Sequence, residues 1–186
     1  KHARISQDDP AADPINTDDI DMPCPDSIGA METYSERDRI VKLGCSTVMQ
    51  VAGKYRMQDS VTTYHPDGDL NPVFRYSRDL IAMWNIRFGY YLLEQQYVVG
   101  KKICRDTDNV SAPNIVKPMM WKSVVLEYFK SLVDRGIIVD FDFSKASLVV
   151  GISTTNPNRL DTSFSTKLSG IARISSTQNI VGFNFG

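Results

Sequence analysis

A chain of 186 residues with 42% hydrophobic and 23% charged content holds enough apolar side chains for one domain with a real core, and disorder is not its overall expectation. The formal net charge of −1 speaks against a nucleic-acid binder working through bulk positive potential, and no apolar run approaches the ~20 residues of a membrane span. Cys24, Cys45 and Cys104 are odd in number, far apart and without C-x-x-C spacing, so neither a disulfide framework nor a zinc site is suggested, and reduced thiols are expected.

The chain opens on Lys1 with no methionine and no leader pattern, which predicts a processed or excised part of a longer protein. Residues 1–26 set seven aspartates against Lys1 and Arg4, with Pro10, Pro14, Pro23 and Pro25 breaking any regular element. An acidic linker or extended segment is predicted there, outside the core. A short helix is predicted over residues 26–43, ended by Gly44. The run CSTVMQVAGKYRM reads as a hairpin turning at Gly53-Lys54, and SVTTY as a third short strand before the turn His65-Pro66-Asp67-Gly68.

Residues 74–99 form the longest periodic segment, with Leu80, Met83, Trp84, Arg87, Phe88, Tyr91 and Leu92 at helical spacing. Ile81, Ile86 and Tyr90 widen its apolar face beyond one stripe, which predicts a core helix sandwiched between other elements. A loop over residues 100–116 leads to a second helix with Pro118 in its first turn and Gly136 as its stop, burying Trp121, Val124, Val125, Tyr128 and Leu132.

IIVDFDF and SLVVGIS are predicted to form a hairpin through residues 144–146. From residue 160 to 174 a two-residue rhythm places Leu160, Phe164, Leu168, Ala172 and Ile174 on one side and polar residues on the other, the period of a half-buried strand. After a polar break at residues 175–179, a short apolar tail carries Val181, Phe183 and Phe185 on alternate positions. The order β-rich, helix, helix, β-rich predicts an α+β fold: a mixed or antiparallel sheet packed with two main helices, plus an extended C-terminal arm strand. The boundaries expected are a segment 1–26, a core domain 27–174 and a hinge and arm 175–186. Leu160, Phe164, Leu168, Trp84, Tyr91, Trp121 and Tyr128 are expected to share the main core.

Signals for chemistry are sparse. His2 and His65 lie in different segments with no recognisable nucleophile setting, and His65 reads as a turn residue. Asp140 and Asp142 would share one face of a strand, a pairing that can serve acid/base work or bind a cation, with Val139, Phe141 and Phe143 on the buried side. A solvated strand face is the reading preferred for them. The aspartates of residues 1–26 lack the D-x-[DN]-x-[DN]-G pattern of a calcium loop, and no phosphate-binding glycine motif occurs. Neither a catalytic site, a cofactor nor a metal is therefore expected. Arg75, Arg78, Arg87, Lys101, Lys102 and Arg105 outnumber Asp79 and Glu94 over residues 75–105, a solvated helix face or a surface complementary to an acidic partner.

SVTTY before a long helix, a helix entering after KP, then LVDRGIIVDFD, then NPNRLD opening a final strand together resemble the C-terminal region of contractile-tail sheath proteins of bacteriophages, nearest to the Mu-like branch. The resemblance covers residues 33–186. Lys117 stands where that family commonly has a helix-capping threonine, and the loop at residues 101–116 looks variable. The resemblance implies a structural protein of the virion tail, assembled in the host cytoplasm, which forms six-fold rings stacked around the tail tube and shortens when the baseplate triggers it. The partners implied are further copies of the chain, the tail tube protein, the baseplate and the tail terminator, with no nucleic acid, membrane or cofactor.

Terminal arms are implied to pair with sheets of neighbouring subunits, which gives the apolar tail a role: Ile180, Val181, Phe183 and Phe185 are the candidate inter-subunit arm. Since the family's C-terminal region lies at the inner radius, Lys122, Glu127, Lys130 and Arg135 on the second helix are the tube-facing candidates, with Arg75, Arg78 and Arg87 as runners-up. A hydrolase domain using Asp140, Asp142 or His65, and another ring-forming virion or secretion component, are the competing readings.

Overall fold

The structure, a computed structural model, describes residues 9–11, 19–20, 33–51, 53–64, 66 and 74–171. It is α+β, with helices packed on small, mainly antiparallel sheets. The predicted hinge and arm, His2, His65 and Cys24 lie outside the described residues.

The first unit is a three-stranded sheet with one helix. Strand β1 (Asp19–Ile20) pairs antiparallel with β3 (Lys54–Asp59), which pairs antiparallel with β2 (Thr47–Val51). Gly53 makes the predicted hairpin turn, at a φ of 77° that an L side chain resists. Helix α1 (Tyr34–Lys42) starts later than residue 26 because Thr33 and Glu36 close a capping box: Thr33 Oγ1 accepts from the Glu36 N–H at 3.4 Å, and a Glu36 carboxylate oxygen accepts from the Thr33 N–H at 2.8 Å. Arg37 Nε donates to Gln58 Oε1 at 2.6 Å and ties α1 to β3. SVTTY does not form a strand. Only a bridge between Val61 and Tyr76 remains, made by the Thr62 N–H on the Arg75 carbonyl and the Ser77 N–H on the Ser60 carbonyl, with the Thr62 hydroxyl donating to the Phe74 carbonyl.

The second unit carries the core. Helix α2 (Ser77–Tyr97) and helix α3 (Pro118–Asp134) run where the two longest periodic segments predict them. Pro118 opens α3, and Gly136, at a φ of 67°, ends it. Trp121, Val125, Phe129 and Leu132 repeat along one stripe of α3 and are sealed from solvent; Val124 and Tyr128, predicted as buried, flank it half-buried. Tyr128 reaches across to α2, where its hydroxyl donates to the Ile86 carbonyl at 2.9 Å. Burial pushes its phenol pKa up to about 12. The approach is close enough to require Gly89, since a Cβ there would lie 2.5 Å from the Tyr128 hydroxyl.

The loop after α2 contains a short parallel pair, β4 (Lys102–Ile103) with β5 (Ile115–Val116). IIVDFDF departs from its expected strand. Strand β6 (Ile138–Val139) stops at Asp140, whose φ of 61° caps helix α4 (Phe141–Ser147). Val139 and Phe143, expected inside, are exposed, and Ile137 and Ile138 take the core instead. The hairpin therefore forms elsewhere: β7 (Val149–Ile152) pairs antiparallel with β8 (Leu160–Ser163), turning through the NPNR run, where Asn156 accepts from the N–H groups of Asn158 and Arg159. β6 pairs with β9 (Lys167–Leu168), so the long final strand is split in two. Its rhythm survives the break, with residues 160, 162, 164, 166 and 168 turned inward and the odd positions between them exposed.

Pro10 is fully buried and Ala11 belongs to the core cluster, within a stretch whose composition predicts a linker or extended segment. One further expectation is corrected. Trp84 and Tyr91, expected in the core, are 59% and 51% exposed. The buried side of α2 is Arg78, Ala82 and Ile86, with Tyr90 and Leu93 packed against the cluster. Trp121→Ala is accordingly expected to cost about 3–5 kcal/mol through lost transfer energy and a cavity. Trp84→Ala should cost under about 1 kcal/mol, as for an exposed site. Guanidinium unfolding of the unassembled chain checks both, and equal losses would contradict this assignment of faces.

Candidate functional site

Strand β8 has β7 on one side and, among the described residues, no strand on the other. Beside that open side lies a groove of about 780 Å3 whose opposite wall is α2. Met83, Ile86 and Tyr90 line it from the helix, and Leu160, Thr162 and Phe164 from β8 and its continuation. The period of two that turns these last three residues inward also sets the spacing of side chains along the groove.

Apolar contacts fix the floor. Tyr90 stacks against Trp121 and Phe164, with ring centroids 5.6 and 5.2 Å apart, and Phe164 meets Phe129 at 5.0 Å. Trp121 Nε1 donates to Thr162 Oγ1 at 3.0 Å, pinning β8 to α3. Burial raises the Tyr90 phenol pKa, partly offset by its hydrogen bond with Thr162. Four charged side chains also line it: Arg87 and Glu94 on the helix side, Glu94 within reach of the Tyr90 hydroxyl, and the Arg159–Asp161 pair at 2.7 Å on the strand side. An open sheet edge, an apolar floor with period-two side chains and charged side chains on both walls together suit an extended apolar segment.

The outer side of α2 continues this surface. Trp84, Phe88, Tyr91 and Leu92 are each about half exposed or more and form one stripe opposite the buried face. At roughly 150–250 Å2 per aromatic side chain, the exposed part of the stripe is on the order of 400 Å2, the size of the largest apolar patch on a typical monomer. Sequence periodicity could not separate the two faces, because both are apolar.

The tube-facing candidates divide. Glu127, Lys130 and Arg135 are exposed and Lys122 is half-buried, so α3 presents charge away from its core stripe. Among the runners-up, Arg87 is exposed, Arg75 is half-buried, and Arg78 is buried, which removes it from any solvated helix face. Reading the sequence missed the groove altogether, although the inward alternation of residues 160–168 and the all-round apolarity of the first long helix were its visible signals.

No family model matches the chain, and no curated protein matches it. Among solved structures, the sheath tail protein of Desulfitobacterium hafniense matches with a TM-score of 0.50 and 11% sequence identity. The match covers 75% of this chain and 33% of that one. The likeness is one of fold, between this chain and a third of a tail sheath protein. Among the described residues no helix is long and apolar enough to cross a membrane.

The two aspartates of the hydrolase reading do not share a strand face. Asp140 is the cap of α4 and Asp142 lies in its first turn. The Asp140 carboxylate accepts from Lys167 Nζ at 2.5 Å and from the Phe143 N–H at 3.0 Å. Both bonds favour the ionised form, the Lys167 bond most, and hold the carboxyl below the usual aspartate range. The stabilisation is therefore present above the unfolded aspartate value of about 3.9 and is lost as the pH falls through the lower folded value. Asp140→Asn is expected to lower stability near neutral pH and to narrow its gap from the parent in acid. Unfolding midpoints between pH 6 and 2 test this, and parallel curves would show that the carboxylate is not held by these bonds.

Proposed function

We propose that the chain is a structural subunit of a contractile phage tail sheath, in which copies polymerise as stacked six-fold rings around the tail tube and shorten together to drive the tube through the host envelope. The observation that carries this reading is the open edge of β8 beside an apolar groove, on a fold shared with a tail sheath protein. The occupant proposed for that edge is the C-terminal arm of a neighbouring copy. Val181, Phe183 and Phe185 span five residues on alternate positions, as Leu160, Thr162 and Phe164 do on the wall they would face, about 13 Å of strand in each case. An antiparallel or parallel addition at this register sets apolar side chains on the groove floor and leaves the polar positions to the rim.

The stripe on α2 supports the same reading. About 400 Å2 is half of the ~800 Å2 per partner that a stable pairwise interface buries, so it suits one contact among several in an assembly rather than a free-standing dimer. Residues 175–179 would form the hinge between the core and the arm, and the tail tube, baseplate and tail terminator would be the other partners. The role is mechanical, with no cofactor and no catalysis.

Deleting residues 180–186 is expected to leave a soluble monomer that no longer forms tubes, and Met83→Glu in the groove should do the same with the arm intact. Sedimentation and negative-stain electron microscopy decide the matter. Normal tubes from both variants would refute the arm and groove contact.

Contact with the tube is proposed for the exposed charges of α3. Ion pairs at such a surface are worth only about 0.2–1 kcal/mol each, which lets them form in every ring and still release when the sheath moves. Reversing Lys130 and Arg135 to Glu is expected to weaken assembly on tubes, most at low ionic strength, while sheath-only polymers persist. Unchanged co-sedimentation with tubes would place the contact elsewhere.

A further inference from the structure

Arg78 is the one buried charged side chain among the described residues, at 5% exposure in the first turn of α2. Its guanidinium joins two segments from opposite ends of the sequence. Nε donates to the Ala11 carbonyl at 3.0 Å, and Nη2 donates to the Ser169 carbonyl at 2.6 Å and lies 3.3 Å from Ser169 Oγ. Nη1 lies 3.3 Å from an Asp79 carboxylate oxygen, which supplies the counter-charge. Each acceptor is held in place independently. Ala11 is wedged beside the fully buried Pro10 and donates its N–H to Asp9, and the Ser169 N–H donates to the Ile137 carbonyl at 3.1 Å, extending the β6–β9 pairing.

We infer that Arg78 is a positioning residue that couples the seating of the segment at Ala11 to the segment at Ser169. A buried guanidinium has five N–H donors and no way to lose its charge, so it requires acceptors on every side. When Ala11 is seated, Nε is satisfied and the group is oriented with Nη2 aimed at Ser169. When Ala11 leaves, a buried donor loses its partner and the guanidinium follows water or the remaining carbonyls, which loosens its hold on Ser169. The coupling is reciprocal: release of Ser169 weakens the seat of Ala11 by the same factor. Under the sheath reading, on which this last step rests, the stretch leading into the C-terminal arm would thereby respond to whether the segment at Ala11 is in place.

The test is amide exchange on the unassembled chain, read at Ser169 and Gly170. Ala11→Glu, which unseats the first segment, is expected to speed exchange there by about tenfold, a typical coupling factor. The same substitution combined with Arg78→Met should add nothing beyond Arg78→Met alone. Arg78→Lys keeps the charge but cannot span both carbonyls, so it should abolish the coupling while exchange at Val125 and Phe129 in α3 stays slow; that variant serves if Arg78→Met fails to fold. An effect of Ala11→Glu that persists without the arginine, or no effect with it, overturns the inference. Since exchange is read before any assembly, failure of the coupling and failure of the sheath reading are separate results.

Discussion

A helix with apolar side chains on two opposite faces exposes one of them unless both are covered. Helix α2 is such a helix, and among the described residues one of these faces is covered. Ala82 and Ile86 lie against α3 and the core cluster, fixed by the Tyr128 hydroxyl on the Ile86 carbonyl and by the absence of a side chain at Gly89. The other side carries Trp84, Phe88, Tyr91 and Leu92 into solvent. Burying the outward aromatics against a neighbour would remove several hundred Å2 of apolar surface from water, a driving force for the proposed association. The groove on the flank of the same helix extends that demand to an extended segment.

Much of this was legible in the sequence, for reasons that can be named. Helix α3 has one apolar stripe, a proline that can only open a helix and a glycine that ends it, so its bounds and most of its buried residues could be read directly. Phe129 completes the same stripe. Helix α2 has no such asymmetry: its length was readable and its inner face was not. The alternation V-D-F-D-F is equally good for a strand and for a cap followed by a first helical turn. What decided between them was a left-handed Asp140 held by Lys167, a contact between residues 27 apart in sequence. Residues 1–26 look like a linker in composition, yet two small apolar residues, Pro10 and Ala11, complete the core.

Arg78 was the least legible of all. In a run of arginines and lysines it looks like one more solvated charge, and its burial depends on two carbonyls, which carry no side-chain signature. A guanidinium is well suited to such a place because its fork of donors can be shared between backbone acceptors from unrelated segments. The Asp140 and Lys167 pair shows the opposite case, since there a carboxylate that invites a catalytic reading is engaged by a lysine and a backbone N–H. A group already engaged in capping a helix is poorly placed to take up a proton from a substrate.

Under the proposed sheath role, an array that changes length without falling apart would divide its contacts into those that persist and those that give way. Strand addition would be of the first kind: its register would be fixed by the period of two, so a slip of one residue would turn Val181, Phe183 and Phe185 away from the groove floor. The exposed charges of α3 would be of the second, since surface ion pairs are weak, screened by salt and re-formed at little cost in another register. Both kinds would be carried by the packing of α2 against α3. The join between Arg78, Ala11 and Ser169 lies at the first turn of α2, on the same helix whose outer stripe a neighbour would cover under that role, so a displacement of either carbonyl would be felt there.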